Sequence, residues 1–284
     1  MAPQLRKKES AIESTLNLST DKLSELDLKS SIAVSPHHTS WYSGEYLNDQ
    51  YHGFGTTFDK RGKKSYEGQW KNGLKHGQGI SYYEHGVMMY KGEFKNGKFD
   101  GEGTLFYESE RIWYTGTFKN SLKDGKGKIY YPNQRIWYDG EFLEDEFHGE
   151  GGKTYFKNGK LSYEGEYYKG DKKGLGTLYY LNGSIFYKGE FKDDKFHGEG
   201  KGYNDKGALI YQGIMENGRK HGYGEEFDSK GVLNYEGFFQ FDKYDGGGYF
   251  YTQNGKLLHE GNWNNNYLDG NGIEYYISGV GEGL

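Results

Sequence analysis

The sequence predicts an all-β fold: an elongated, twisted single-layer ribbon of about ten tandem β-hairpins, preceded by a disordered N-terminal tail. Three observations lead there. An aromatic-x-Gly triplet (His-x-Gly in the last case) begins at Tyr42, Tyr66, Tyr90, Tyr114, Tyr138, Tyr163, Tyr187, Tyr211, Tyr235 and His259, every 24 residues except for a gap of 25 after Tyr138. After eight intervening residues each triplet's glycine is followed by a Gly-x-Gly. The composition is unusual for a globular domain: 33% hydrophobic and 47 glycines, yet 29 Tyr and 17 Phe. A fixed period in this range marks a stacked-repeat architecture. Rings can replace the missing aliphatic core, each burying ~150–250 Å².

Residues 1–40 lack the repeat and any aromatic, and balance five basic against five acidic side chains. They read as a flexible leader, with a possible short helix over 20–29 capped by Thr20 or Ser19. Residues 41–276 form the array and 277–284 a Gly-rich tail. Within one copy, Tyr90-Lys-Gly92-Glu-Phe94 alternates as a half-buried strand does. Asn72-Gly73, Asn96-Gly97 and Asn217-Gly218 are tight-hairpin dipeptides, because both positions of such turns need φ > 0. A second strand runs from the Gly-x-Gly to the aromatic beyond it. A second turn (Asn158-Gly159, Asn182-Gly183, Asn254-Gly255) leads to the next copy. In the fifth copy that aromatic arrives one residue late, at Tyr155, so a β-bulge is expected beside Gly151-Gly152.

Comparing the copies singles out constrained slots. Glycine fills three slots in all ten, accounting for 30 of the 47; Gly68, Gly77, Gly79, Gly92, Gly101 and Gly103 represent them and are assigned a structural role. The slot two beyond the first glycine holds Tyr46, Trp70, Phe94, Phe118, Phe142, Tyr167, Phe191, Met215, Phe239 and Trp263. The nine aromatics among these are expected to line a concave face that binds a partner, since Tyr and Trp dominate binding energy at interfaces.

With 36 basic against 41 acidic residues, the chain lacks the basic excess of a nucleic-acid binder. The absence of cysteine excludes thiolate metal sites and fits an intracellular setting. His52, His76, His148, His197 and His221 share one slot, but Asp100, Asp124, Asp245, Asp269 and Lys173 occupy it elsewhere. Neighbouring copies hold it ~10 Å apart, whereas metal ligands sit ~2.0–2.3 Å from one ion. A structural role is expected instead, a side-chain hydrogen bond or a turn contact near the Gly-x-Gly. Gly152-Lys153-Thr154 mimics the end of a phosphate-binding loop, but Phe147 stands where its first glycine would be. Glu93, Glu141, Glu166 and Glu190 recur in one slot and read as a solvated row. No catalytic residue, metal or cofactor is expected. Lys71, Lys75, Lys95, Lys98, Lys119 and Lys123 fall near the turns, on an edge that could hold anionic phospholipid headgroups.

The unit Tyr66-Glu-Gly68-Gln-Trp70-Lys-Asn72-Gly73-Leu-Lys-His76-Gly77-Gln-Gly79 resembles the MORN repeat (membrane occupation and recognition nexus), in ten copies over 41–276. The resemblance implies a β-hairpin ribbon and scaffolding work at membranes, cytoskeleton, cilia or cell junctions, with some members dimerising through the array. The period of 24 is one longer than the commonest eukaryotic form, and Asn158–Gly165 resembles bacterial variant repeats of antitoxin-like proteins. The leading expectation is a non-enzymatic scaffold that binds a helix or extended peptide. Peripheral membrane binding is the alternative, and an antitoxin-like role a further one. A homodimer through the C-terminal repeats is also expected, because the last strand, near Gly272–Ile277, leaves an open edge.

Overall fold

The computed structural model describes residues 41–275. The leader, its expected helix and the tail at 277–284 lie outside the described residues. Twenty strands, numbered β1 to β20 in chain order, begin with β1 (Trp41–Leu47) and β2 (Gln50–Phe58) and end with β20 (Tyr267–Glu274). Each strand pairs antiparallel with the one before and the one after, so the ten hairpins form one open meandering sheet.

The turn inside each copy has two residues, both at positive φ, from Asn48-Asp49 (50° and 60°) to Asn265-Asn266 (51° and 74°). This mirror-image geometry matches the right-handed twist of the strands. It holds even at Glu144-Asp145 and Phe241-Asp242, where no glycine or asparagine favours it. Turns of successive copies are stitched together: the Gly97 N–H donates to the Lys75 carbonyl, Ser121 to Phe99, and Asp145 to Lys123. Five-residue turns between copies close the other edge, with Gly86 at φ 86° and its N–H bonded to the Tyr83 carbonyl. Tyr83, Tyr107, Tyr131 and Tyr180 each donate their hydroxyl to a carbonyl in the next copy, at Phe106, Tyr130, Tyr155 and Tyr203.

A seam of glycines crosses the sheet at right angles to the strands. Gly55 faces Gly68, Gly68 faces Gly79, Gly79 faces Gly92, and the register continues to Gly261 opposite Gly272. Across this seam lies the triplet tyrosine of each copy. Its hydroxyl donates to the carbonyl three residues ahead: Tyr66 to Gln69 (2.8 Å), Tyr90 to Glu93 (2.9 Å), Tyr138 to Glu141 (2.8 Å). A Cβ on Gly103 would stand 2.3 Å from the Tyr90 hydroxyl, and one on Gly92 would stand 2.5 Å from the Gly103 Cα. The glycines are required by close approach of ring to backbone, not by composition. In the tenth copy His259 replaces the tyrosine, and every residue of β20 is exposed.

Just beyond the seam every copy carries a bulge. Gly92 pairs with Gly103 and Phe94 with Phe99, so one residue opposes three. Its second residue is always a glycine at positive φ, as at Gly77 (60°), Gly101 (103°) and Gly198 (56°). The fifth copy adds its extra residue here. Its second strand, β10 (Glu146–Tyr155), is ten residues long, Gly151 takes φ 75°, and the register shifts between Gly149 and Gly152 before normal pairing resumes.

Gly103→Ala must displace either the Tyr90 ring or the opposed strand. It is expected to cost about 2–3 kcal/mol, the upper range for overpacking a well-filled site. Gly202→Ala is the control, because a Cβ there meets nothing closer than 3.9 Å. It is expected to be neutral or to stabilise by about 0.5 kcal/mol through the unfolded chain. Urea midpoints of the two variants check this.

Candidate functional site

The aromatic slot expected to bind a partner lies inside the protein. Trp70, Phe94, Phe118, Phe142, Tyr167, Phe191, Phe239 and Trp263 are no more than 9% exposed, and only Tyr46 in the first copy is open, at 59%. Neighbouring copies cover them, since one sheet is the whole of the described fold. Tyr66 packs edge-on against Trp70 of its own copy and Phe94 of the next, each at 5.0 Å; Tyr90 does the same with Phe94 and Phe118 at 5.1 and 5.4 Å. Edge-to-face pairs of this kind contribute ~0.5–1.5 kcal/mol beyond burial. The expectation of an open ring-lined face is therefore corrected: the rings are the core.

The third partner of each tyrosine alternates with a period of two copies. In odd copies it is a stacked ring: Tyr42 on Tyr51 (3.8 Å), Tyr90 on Phe99 (3.8 Å), Tyr138 on Phe147 (3.8 Å), Tyr187 on Phe196 (4.0 Å) and Tyr235 on Tyr244 (3.9 Å). In the second, fourth, sixth and eighth copies a lysine takes the place, its ammonium over the ring: Lys75 over Tyr66 (4.7 Å), Lys123 over Tyr114 (5.9 Å), Lys172 over Tyr163 (5.6 Å) and Lys220 over Tyr211 (5.1 Å). Cation–π contacts reach ~2 kcal/mol when desolvated. Three of these lysines also have a carboxylate: Lys123 pairs with Asp145, Lys172 with Asp194 and Lys220 with Glu226. Lys75 has only the Ser81 hydroxyl, and burial pulls its ammonium down to about 8. Reading the slot 51, 75, 99, 123, 147, 172, 196, 220, 244 down the copies would have revealed the alternation in the sequence.

The lysine edge is thus split. Lys75 and Lys123 turn inward over rings, while Lys71, Lys95, Lys98 and Lys119 are exposed. Lys95, Lys98 and Lys119 line one surface hollow of about 670 Å³ between the turns of copies three and four, together with Asp100 and Asp124.

The opposite face of the sheet has the glycine seam as its floor. Here two carboxylates of the expected solvated row, Glu166 and Glu190, also cap the bulge, while Glu141 and Glu190 are exposed as expected. The Glu45, Gln69, Glu166 and Glu190 side chains accept the backbone N–H of Phe54, Gln78, Leu175 and Glu199. They lie over the positive-φ glycine, so that a Cβ on Gly174 would meet the Glu166 carboxylate at 2.2 Å. In copies eight and nine this capping residue is Ile214 and Phe238, both exposed. A groove of about 990 Å³ runs along the seam across copies six to eight. Leu175, Ile214 and Tyr223 line one part of it, and Lys188, Lys201 and Glu225 another.

In the histidine slot one ring nitrogen is left over, although Nε2 of His221 lies 3.3 Å from the Glu216 carboxylate beside the turn. Nδ1 of His52, His76, His148, His197 and His221 is buried without a partner. No cluster of His, Asp or Glu among the described residues could hold a metal ion.

The MORN repeat pattern matches residues 42–62, 66–86, 90–109, 114–134, 138–160, 163–185, 187–201, 211–232 and 259–280. The ninth copy is left unmatched, yet Leu233–Gln240 and Lys243–Tyr251 form the same hairpin with the same Tyr235 bond to the Phe238 carbonyl. No curated protein matches the chain. Among solved structures, a chain of the one described as "Crystal Structure of TcdB2-TccC3-Cdc42" is 12% identical over 74% of this chain, with a TM-score of 0.16. This chain spans 12% of that one, and the likeness carries no argument.

The buried amine gives a stability signature. Lys75 has its pKa lowered from 10.5 to about 8 by burial. The unfolded chain therefore holds more protons between those values, and stability rises as pH increases through that window. Lys75→Met is expected to be more stable than the parent at pH 7 by up to ~3 kcal/mol, less whatever the Tyr66 contact returns. The difference should shrink toward pH 10. A difference in urea midpoint that stays constant between pH 7 and pH 9.5 would refute this.

Proposed function

The chain belongs to the MORN-repeat family, and on that premise we propose that it is a non-enzymatic scaffold whose glycine-floored face docks a segment of a partner protein. MORN repeats are found in scaffold and membrane-binding proteins. One observation carries the choice of face: exposed apolar side chains gather in the groove over the seam, on the side where the fold does not need them. Leu175, Ile214 and Tyr223 are exposed there, while the rings of the other face are consumed by the core. A floor without side chains lets a helix or extended peptide approach the backbone closely. The structures served are cytoskeletal, ciliary or membrane-associated, as in the family at large.

Peripheral membrane binding is the second reading, and the Lys95–Lys98–Lys119 hollow favours it. Each lysine near an anionic surface contributes ~1 kcal/mol, but Asp100 and Asp124 share the site. Self-association is favoured by β20, an open edge strand with Tyr267, Leu268 and Ile273 exposed. Unpaired strand edges recruit other strands.

The full chain used as bait in native lysate, washed at low and high salt, is expected to retain a defined protein that Leu175→Glu bait loses. Retention of anionic vesicles alone, abolished by salt, would transfer the function to the lysine hollow. Light scattering is expected to give twice the chain mass. A monomer mass at all concentrations would remove the dimer.

A further inference from the structure

Copies eight and nine bring two features together at one place on the seam face. The first is the bulge cap. Glu45, Gln69, Glu166 and Glu190 satisfy the bulge N–H in their copies, whereas Ile214 and Phe238 cannot, and they cover Gly222 and Gly246 at 3.2 and 3.0 Å from a Cβ position with exposed hydrocarbon instead. Tyr223 stands directly opposite Phe238 in the register, its ring edge-on at 5.7 Å and exposed, and exposed Tyr249 follows one strand later.

The second is charge pairing beside the seam. In copies four to six the facing positions carry opposite charges: Lys128 pairs with Asp139 (3.0 Å) and Lys153 with Glu164 (2.8 Å). The same row faces Lys188 with Lys201 in copy seven and Glu225 with Glu236 in copies eight and nine, so the acidic pair is the one next to the exposed hydrocarbon. Like charges facing each other across strands are destabilising. Glu225 receives the Gln212 amide at 2.7 Å, Glu236 has Tyr249 as its next cross-strand neighbour, and Glu260 lies beyond. Neither Glu225 nor Glu236 has an ion pair among the described residues. Both carboxylates act on the Tyr223 phenol, which burial and then Glu236 and Glu225 push upward. Lys201, opposite Gln212, is the nearest cation in the register.

We propose that this patch docks a basic amphipathic segment of a partner protein, whose apolar side chains pack on Ile214, Tyr223 and Phe238 and whose Lys or Arg side chains pair with Glu225 and Glu236. The inference rests on the reading of the seam face as a docking surface and narrows it to one partner chemistry. A basic residue supplied by the partner removes the like-charge conflict, and an apolar anchor covers the hydrocarbon, so binding relieves both defects together. Fold stability is reduced locally for the sake of a site, as occurs where a sequence departs from its own repeat rules.

The test uses the full chain and fluorescent helical peptides that share one leucine face and carry Lys, Gln or Glu on the polar face, read by anisotropy. The Lys-faced peptide is expected to bind at least tenfold tighter than the Gln-faced one at low salt, with no binding of the Glu-faced one. Ile214→Glu/Phe238→Glu restores the residue type of the other copies and is expected to lose at least tenfold in affinity, with a melting temperature equal to or above the parent's. Glu225→Lys, which creates an opposite-charge pair with Glu236, is expected to abolish the Lys-over-Gln preference without lowering the melting temperature. Equal affinity for Lys- and Gln-faced peptides overturns the basic partner even if both bind. Unchanged binding in the double variant overturns the site. If no peptide binds, the inference fails, while capture of a partner by the Leu175 surface still decides the scaffold reading separately.

Discussion

The tyrosine laid over the glycine seam is the interaction on which the array depends. It fixes three things in one contact. The ring needs the paired glycines bare, the hydroxyl ties the strand to its own bulge, and the ring edges meet the aromatic of this copy and of the next. A single hairpin has no other way to make a core, because its hydrophobic face cannot be covered by itself. The contact bridges to the following copy, so stability is shared between neighbours, as expected of a quasi-one-dimensional protein. Burial keeps these phenols in their neutral, donating form by pushing their pKa upward. Where the tyrosine is missing, at His259, the last strand is exposed along its whole length.

The repeat period, the hairpins, both turn sites and the bulge at Gly151-Gly152 were legible because each is written in residues with narrow backbone preferences. Asparagine and glycine report positive φ wherever they stand. The function of a side chain was less legible than its position. A strand's alternation says that Trp70 and Glu67 lie on opposite faces, but not which face neighbouring hairpins will cover. The aromatic face was therefore assigned to a partner when the next copy already occupied it. The glutamate slot was only partly legible for a related reason: a carboxylate beside a glycine looks merely solvated until the bulge turns a backbone N–H toward it, as at Glu166 and Leu175. Lys75 and Lys123 looked like edge residues because their slot was read one copy at a time.

The alternation of ring and lysine shows how one slot can hold two chemistries without changing the backbone. A ring at Phe99 and an ammonium at Lys123 both offer the tyrosine a face-on partner, one by stacking and one through the ring quadrupole. The ammonium needs an additional group because it gives up water. Asp145 and Asp194 provide it from the turn of the next copy, where the same side chain also accepts the lysine N–H. For Lys75 that turn position, in the third copy, is Gly97 and offers no acid, and burial lowers its ammonium to about 8.

A repeat array is its own control. Each slot has nine other copies against which a departure can be measured, and departures that weaken the fold are informative only when they coincide. A missing aspartate beside Lys75 is a single departure in a buried slot and has a local electrostatic consequence. At copies eight and nine exposed hydrocarbon over the bulge and a facing pair of glutamates share one exposed face, on adjoining strands. Their meeting on the face that the core leaves free, beside the groove, offers apolar and acidic groups to one partner at once.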